Sequence, residues 1–241
     1  LERSNLFTLS GSDEGYYGAV AANYLNHDDN VVLGAMDMGG SSTQVVIPLD
    51  APDFFSVSHL SYGVGQFRMR LWDHFEANDS NPCLHTGYNE GATFTGTGNA
   101  TVCRESIERL ISHPTKSVDL KHRRVAGVDH PDIRTESHFW AMSLFFFTLD
   151  SLRHFSITPQ LQRNWPTPTL SELWQAADGL CGMHYDDLEQ AHATNPHEFT
   201  RSEILPYRCF ESVYMISVLS AFGFHHDSRQ ITFQFTVDGS E

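Results

Sequence analysis

Asp37, Gly39, Gly40 and Ser42 fall between two apolar runs, Val31-Val32-Leu33-Gly34-Ala35-Met36 and Val45-Val46-Ile47. Glycines carry no Cβ, so their backbone N–H groups can approach an anion closely. A serine hydroxyl adds a donor, and a carboxylate can hold a hydrated divalent cation beside that anion. Together at one turn they make a phosphate–metal site. Gln44 adds a carboxamide able to hydrogen-bond a water. Upstream, Glu14 follows Ser10-Gly11-Ser12-Asp13 and precedes Gly15. A carboxylate there can orient and deprotonate an attacking water.

The elements that must position these residues are legible nearby. β-branched runs around a glycine-centred turn predict a hairpin over 31–48. Residues 13–26 predict a helix, with Ser12 or Asp13 as its cap and acids suiting its dipole. Further helices are expected near 63–77, 101–113, 136–154, 169–178, 184–192 and 206–222, and a last strand near 229–237. These elements predict one mixed sheet covered on both faces. Thr43 alternates away from Ser42 and Gln44 along its strand, which gives it a structural part.

Ser10 to Leu25, followed by Asp37-Met38-Gly39-Gly40-Ser41-Ser42-Thr43-Gln44, resembles the third and fourth sequence regions of the apyrase family. That family comprises the nucleoside triphosphate diphosphohydrolases and the Golgi nucleoside diphosphatases. Ser61-Tyr62-Gly63 with Arg68 and Arg70, Asn81-Pro82-Cys83 with Gly87-Tyr88, and Gly96-Thr97-Gly98-Asn99 before Cys103 are similar to later family segments. The family's first two regions are absent, and the chain stops where its fifth would begin. The resemblance thus implies residues 1–241 as the C-terminal lobe of a two-lobed enzyme: an α/β, actin-like, ribonuclease-H-like lobe whose mixed sheet has helices on both faces. The lobe would hold half of an active site, completed by its own N-terminal lobe.

The chemistry implied is hydrolysis of the terminal phosphate of nucleoside tri- or diphosphates. Glu14 would activate water; Asp13 is the lesser candidate, because the residue directly before glycine carries that role in the family. Asp37 would bind Mg²⁺ or Ca²⁺ through coordinated water, Gly39, Gly40 and Ser42 would cradle phosphate, and Gln44 would hold a water. Phe147 or Tyr207 would stack on the base. Ala19 stands where the family usually has Trp, and Val64 and Ile204 replace arginines of some surface-bound members. A non-catalytic phosphate-binding relative, or another actin-fold phosphotransferase such as a polyphosphatase, are the alternatives.

With 241 residues, 40% of them hydrophobic, the chain can bury a sizeable core. A net charge of −15 disfavours nucleic-acid polymers and anionic membranes. Lys121-His122-Arg123-Arg124 reads as a solvated loop too short to reverse that. The run Ala141 to Leu149 is too short to span a bilayer, so no membrane contact is expected from this segment. Fourteen histidines include no His-Glu-x-x-His, which argues against a zinc site. Four cysteines allow three pairings, or four buried thiols. The resemblance favours Cys83 with Cys103 and Cys181 with Cys209, since family members mature in the secretory pathway. It implies residence in that lumen or outside the cell, with any membrane anchor in missing segments. Asn78-Asp79-Ser80 and Asn99-Ala100-Thr101 are acceptor sequons for glycans.

Overall fold

The computed structural model describes residues 8–26, 31–50, 53–75, 80–91, 93–112 and 123–235. Helix α1 (Gly11–Leu25) leads into the hairpin β1 (Leu33–Met38) and β2 (Ser42–Pro48), then β3 (Phe54–Leu60) and α2 (Val64–Trp72). The short strands β4 (Ser80–Asn81), β5 (Asn89–Glu90) and β6 (Phe94–Gly96) make a small sheet before α3 (Ala100–Ser112). A two-stranded ribbon, β7 (Arg123–Val125) and β8 (Val128–His130), precedes β9 (His138–Ala141). Then come α4 (Leu144–Phe155), α5 (Pro159–Asn164), α6 (Leu170–Gly182), α7 (Tyr185–Thr194), a 3-10 turn (Leu205–Tyr207), α8 (Arg208–Phe222) and β10 (Ile231–Phe233).

The main sheet runs β10-β9-β1-β2-β3. β2 is antiparallel to β1 and β3, whereas β9 is parallel to both β1 and β10, so the sheet is mixed as expected. The expected helix over 136–154 is two elements. Phe139, Trp140 and Ala141 extend as a strand because β1 and β10 flank them on both sides. Only from Leu144 does the chain turn helical. An apolar run buried on both faces has no period that separates strand from helix. The expected 229–237 strand is observed as Ile231–Phe233; residues 236–241 lie outside the described residues. Asn78, Lys121 and His122 also lie outside them, while Arg123 and Arg124 sit on β7.

One face of the β1–β2 hairpin carries Met36, Met38, Val45 and Ile47 into the main core, with Phe67, Phe145, Tyr214 and Phe222. The other face receives α1, where the small residues Ala19, Ala35 and Val46 form a separate buried cluster flanked by Phe54 and Met142. A Cβ on Gly15 would sit 3.1 Å from Cβ of Gln44, so glycine sets how closely α1 approaches β2. Ala19 is fully buried in this narrow contact, which shows how the helix packs without the aromatic expected there. At the far end, Asn23 exchanges two 2.8 Å hydrogen bonds with the Leu33 backbone, tying α1 to the start of β1.

Disulfides join Cys83 to Cys103 and Cys181 to Cys209, the pairing implied by resemblance. The second staples α6 to the start of α8. The ribbon is held differently. His59 on β3 and His130 on β8 meet Nε2 to Nε2 at 3.0 Å, stacked against each other, with Phe222 stacked on His59 and tilted against His130. Burial, and for His59 also the neighbouring His130, lowers each to about 4. Unfolded histidine titrates near 6.5, so between these values the unfolded chain binds more protons. Stability from this pair is therefore complete above about pH 6.5 and lost as the pH falls toward 4. We expect a loss of about 1 kcal/mol per histidine by pH 5.5. Thermal melts between pH 4.5 and 7.5 check it: a His59→Phe/His130→Leu variant should show a shallower acid decline than the parent.

Candidate functional site

The capping of α1 determines which acid is free. Ser10, not Ser12 or Asp13, is the N-cap; its side chain accepts the Asp13 N–H, and the Asp13 carboxylate accepts from Ser10 in return. This reciprocal capping box occupies Asp13 with holding the helix start. Glu14, next along the turn, projects toward the hairpin, where Gln44 Nε2 donates to its Oε2 at 3.2 Å. The same nitrogen donates to Ser42 Oγ at 3.1 Å. One carboxamide, thirty residues along the chain from Glu14, therefore ties an acid from α1 to a hydroxyl of the turn.

The register places the rest. Asp37 lies opposite Gln44, and Gln44 opposite Ser58, so β1, β2 and β3 present the three side chains on one face. Asp37 Oδ1 is buried with no hydrogen-bond partner among the described residues. A buried carboxylate oxygen left unpaired costs stability unless something else completes it. Thr43 points to the opposite face, where its hydroxyl donates to the Tyr62 carbonyl at 2.7 Å.

The glycine turn is held from below by α2. Val64 N–H donates to the Gly39 carbonyl, Gly65 and Gln66 N–H both donate to that of Gly40, and Ser61 N–H to that of Ser41, at 2.9–3.0 Å. Trans peptides place C=O and N–H on opposite sides. The carbonyls of Gly39 and Gly40 face α2, so the N–H groups of Gly40 and Ser41 face away from it. Gly39 N–H is spent closing the turn on the Ser42 carbonyl at 2.9 Å. Gly39 N–H is therefore not free to meet an anion here, whereas the Ser41 N–H, at a position outside the expected set, faces the side away from α2. A Cβ on Gly40 would meet nothing within 4 Å, so this side of the turn is open.

The two aromatics lie in other neighbourhoods. Phe147 packs with Phe199 and Phe235, at ring distances of 4.8 and 5.1 Å. It lines a pocket of about 340 Å³ with Gly18 and Ala22 of α1, Trp140 and Met142. Tyr207 donates its hydroxyl to Glu90 at 2.8 Å, and the Arg68 guanidinium covers its ring at 3.8 Å. Burial and the Glu90 carboxylate push Tyr207 up to about 12, so it stays a neutral donor. A larger cleft of about 620 Å³, walled by Leu71, Phe75 and Leu110, holds none of these residues. Among the described residues no group of three or more His, Cys, Asp or Glu could hold a metal ion. Asp37 thus sits in no such cluster, which suits a cation that keeps most of its waters.

Residues 48–241 match the family model described as GDA1/CD39 (nucleoside phosphatase). Ectonucleoside triphosphate diphosphohydrolase 2 of Rattus norvegicus is 26% identical, over 94% of this chain and 54% of its own length. Probable apyrase 6 of Arabidopsis thaliana is 25% identical, over 88% of this chain and 44% of its own. The chain thus spans about half the length of the curated relatives it matches. Among solved structures, nucleoside triphosphate hydrolases from Neospora caninum superpose with a TM-score of 0.64 at 14% identity, covering 96% of this chain. A Ppx/GppA family member from Aquifex aeolicus superposes at 0.52 and 13%. At such identities the likeness is one of fold, an actin-like lobe with a mixed sheet between helices.

Proposed function

Because the chain belongs to the GDA1/CD39 (nucleoside phosphatase) family, we propose that it supplies one lobe, and half the active site, of a divalent-metal-dependent enzyme that hydrolyses terminal phosphates of nucleoside tri- and diphosphates. The observation that carries this reading is the hydrogen-bonded chain from Glu14 through Gln44 to Ser42, with Asp37 on the same face.

Phosphoryl transfer asks chiefly for an aligned nucleophile and neutralised equatorial oxygens. Glu14 takes the proton as water attacks the terminal phosphorus and the bond to the leaving nucleotide phosphate breaks. Gln44 has both amide hydrogens engaged by Glu14 and Ser42, which leaves its carbonyl oxygen to accept from that water. The Gly40 and Ser41 amides and the Ser42 hydroxyl donate to phosphate oxygens. The unpaired Asp37 Oδ1 and the open side of the turn fit a hydrated Mg²⁺ or Ca²⁺. Bound there, such an ion would supply positive charge to offset that of the phosphate groups.

The base would stack on Phe147, whose pocket adjoins α1; Tyr207 joins only if the Arg68 guanidinium leaves its ring. The two disulfides and the exposed Asn99 sequon support maturation in the secretory pathway, in its lumen or outside the cell. The test is phosphate release from ATP and UDP by the full-length protein with Mg²⁺ or Ca²⁺. Turnover should require the metal and vanish on chelation. Residues 1–241 alone should not turn over; robust hydrolysis by this segment alone would contradict the half-site reading.

A further inference from the structure

Strand β3 carries none of the residues assigned above, yet two of its serines meet α1 one turn before Glu14. Ser56 Oγ donates to the Ser12 carbonyl at 2.7 Å, a side-chain bond from β3 to the first turn of the helix. Ser58, two residues on and therefore on the same face, lies directly beneath Gly11. A Cβ on Gly11 would stand 2.4 Å from Ser58 Oγ and 2.6 Å from Ser58 Cβ. Ser58 Oγ is itself buried without a hydrogen-bond partner among the described residues. Its hydroxyl therefore does not bond the helix, and what Ser58 offers Gly11 is small volume. Ser58 also sits opposite Gln44 in the register, so the helix start, Gln44 and β3 share one contact.

We infer that Ser56 and Ser58 are positioning residues for Glu14. The Ser56 bond sets where along the sheet the first turn of α1 begins. The Gly11–Ser58 contact sets how far above the sheet it rides. Glu14 reaches Gln44 by a single 3.2 Å bond, so a shift of that turn by about 1 Å breaks the connection between acid and turn. The inference rests on the proposed role of Glu14 in activating water.

The test compares four variants of the full-length protein with Glu14→Gln. Ser56→Ala should lower kcat by about tenfold to a hundredfold with KM within about twofold, since misplacement of a catalytic group acts on the chemical step. Ser56→Thr keeps the donor and should recover most of that loss. Gly11→Ala favours the helix intrinsically, yet should also lower kcat because its Cβ meets Ser58. Pairing it with Ser58→Gly should restore turnover. Melting temperatures should identify all four as folded. Wild-type kcat in Ser56→Ala or Gly11→Ala, or failure of Ser58→Gly to rescue Gly11→Ala, overturns the positioning role. Wild-type turnover by Glu14→Gln instead removes the mechanism itself, and this inference with it.

Discussion

Glu14→Gln in the full-length protein should lower kcat by about 10²–10⁴-fold and leave KM nearly unchanged, the range expected for loss of a general base. The replacement is close to isosteric, and a glutamine oxygen can still accept from Gln44 Nε2, so the link to Ser42 survives. What disappears is the ability to take a proton from water. Stability should hardly move. Glu14 is exposed, while Asp13 and Ser10 form the cap without it. A first-turn acid is worth only about 0.3–1 kcal/mol through the helix dipole. Steady-state phosphate release and a thermal melt on the same preparation separate the two effects. If Glu14 served only the helix, the melt would fall and kcat would stay.

Gly63→Ala should be nearly as damaging from the opposite side of the turn. Gly63 has φ −70° and ψ 154°, which alanine adopts freely, so backbone strain does not enter. The trouble is contact. A Cβ there would lie 2.3 Å from Ser41 N, 2.4 Å from Ser42 N and 2.5 Å from Gly40 C. All three are backbone atoms, and no side-chain rotation relieves them. The turn must lift away from the N-terminus of α2, breaking the hydrogen bonds that hold the carbonyls of Gly39 and Gly40 downward. The amides proposed to hold phosphate lose their direction, and a loss of about 10²-fold in kcat/KM is expected from displacement on the ångström scale. Nucleotide titration should show weakened binding, in contrast to Glu14→Gln. Wild-type kinetics would mean that the turn does not hold substrate.

Much of this site was legible because its residues are local. Asp37, Ser42 and Gln44 lie within one hairpin, and glycine punctuation between β-branched runs marks a hairpin in any sequence. The link between that hairpin and Glu14 was expected only through family resemblance, since no periodicity reports which acid faces a strand thirty residues away. The cap was misplaced by two or three residues, because Ser10, Ser12 and Asp13 all have capping side chains and only three-dimensional contacts choose among them. Ser41 was overlooked for a related reason. An amide is exposed or spent according to where neighbouring carbonyls bond, and here α2 makes that choice.

Strands fared worse than helices. β3 was not foreseen, although Phe54, Ser56 and Ser58 alternate with Phe55, Val57 and His59, because serines blur the polar–apolar contrast on which such patterns rest. β9 reads as part of a helix in the sequence, since only Ser143 separates Phe139 to Met142 from the apolar start of α4. The His59–His130 clasp pairs side chains 71 residues apart, and nothing local in the sequence announces it.

The central claim is that Glu14 and the turn act on one water through Gln44, and a double-mutant cycle on kcat measures it directly. Glu14→Gln, Gln44→Ala and the double variant are assayed in the full-length protein under saturating nucleotide and metal. Groups acting as a unit give strongly non-additive losses. The double variant should therefore be scarcely slower than Glu14→Gln alone. Losses that multiply, with each substitution costing the same in the presence and absence of the other, would show that the two side chains serve separate ends and would contradict the account.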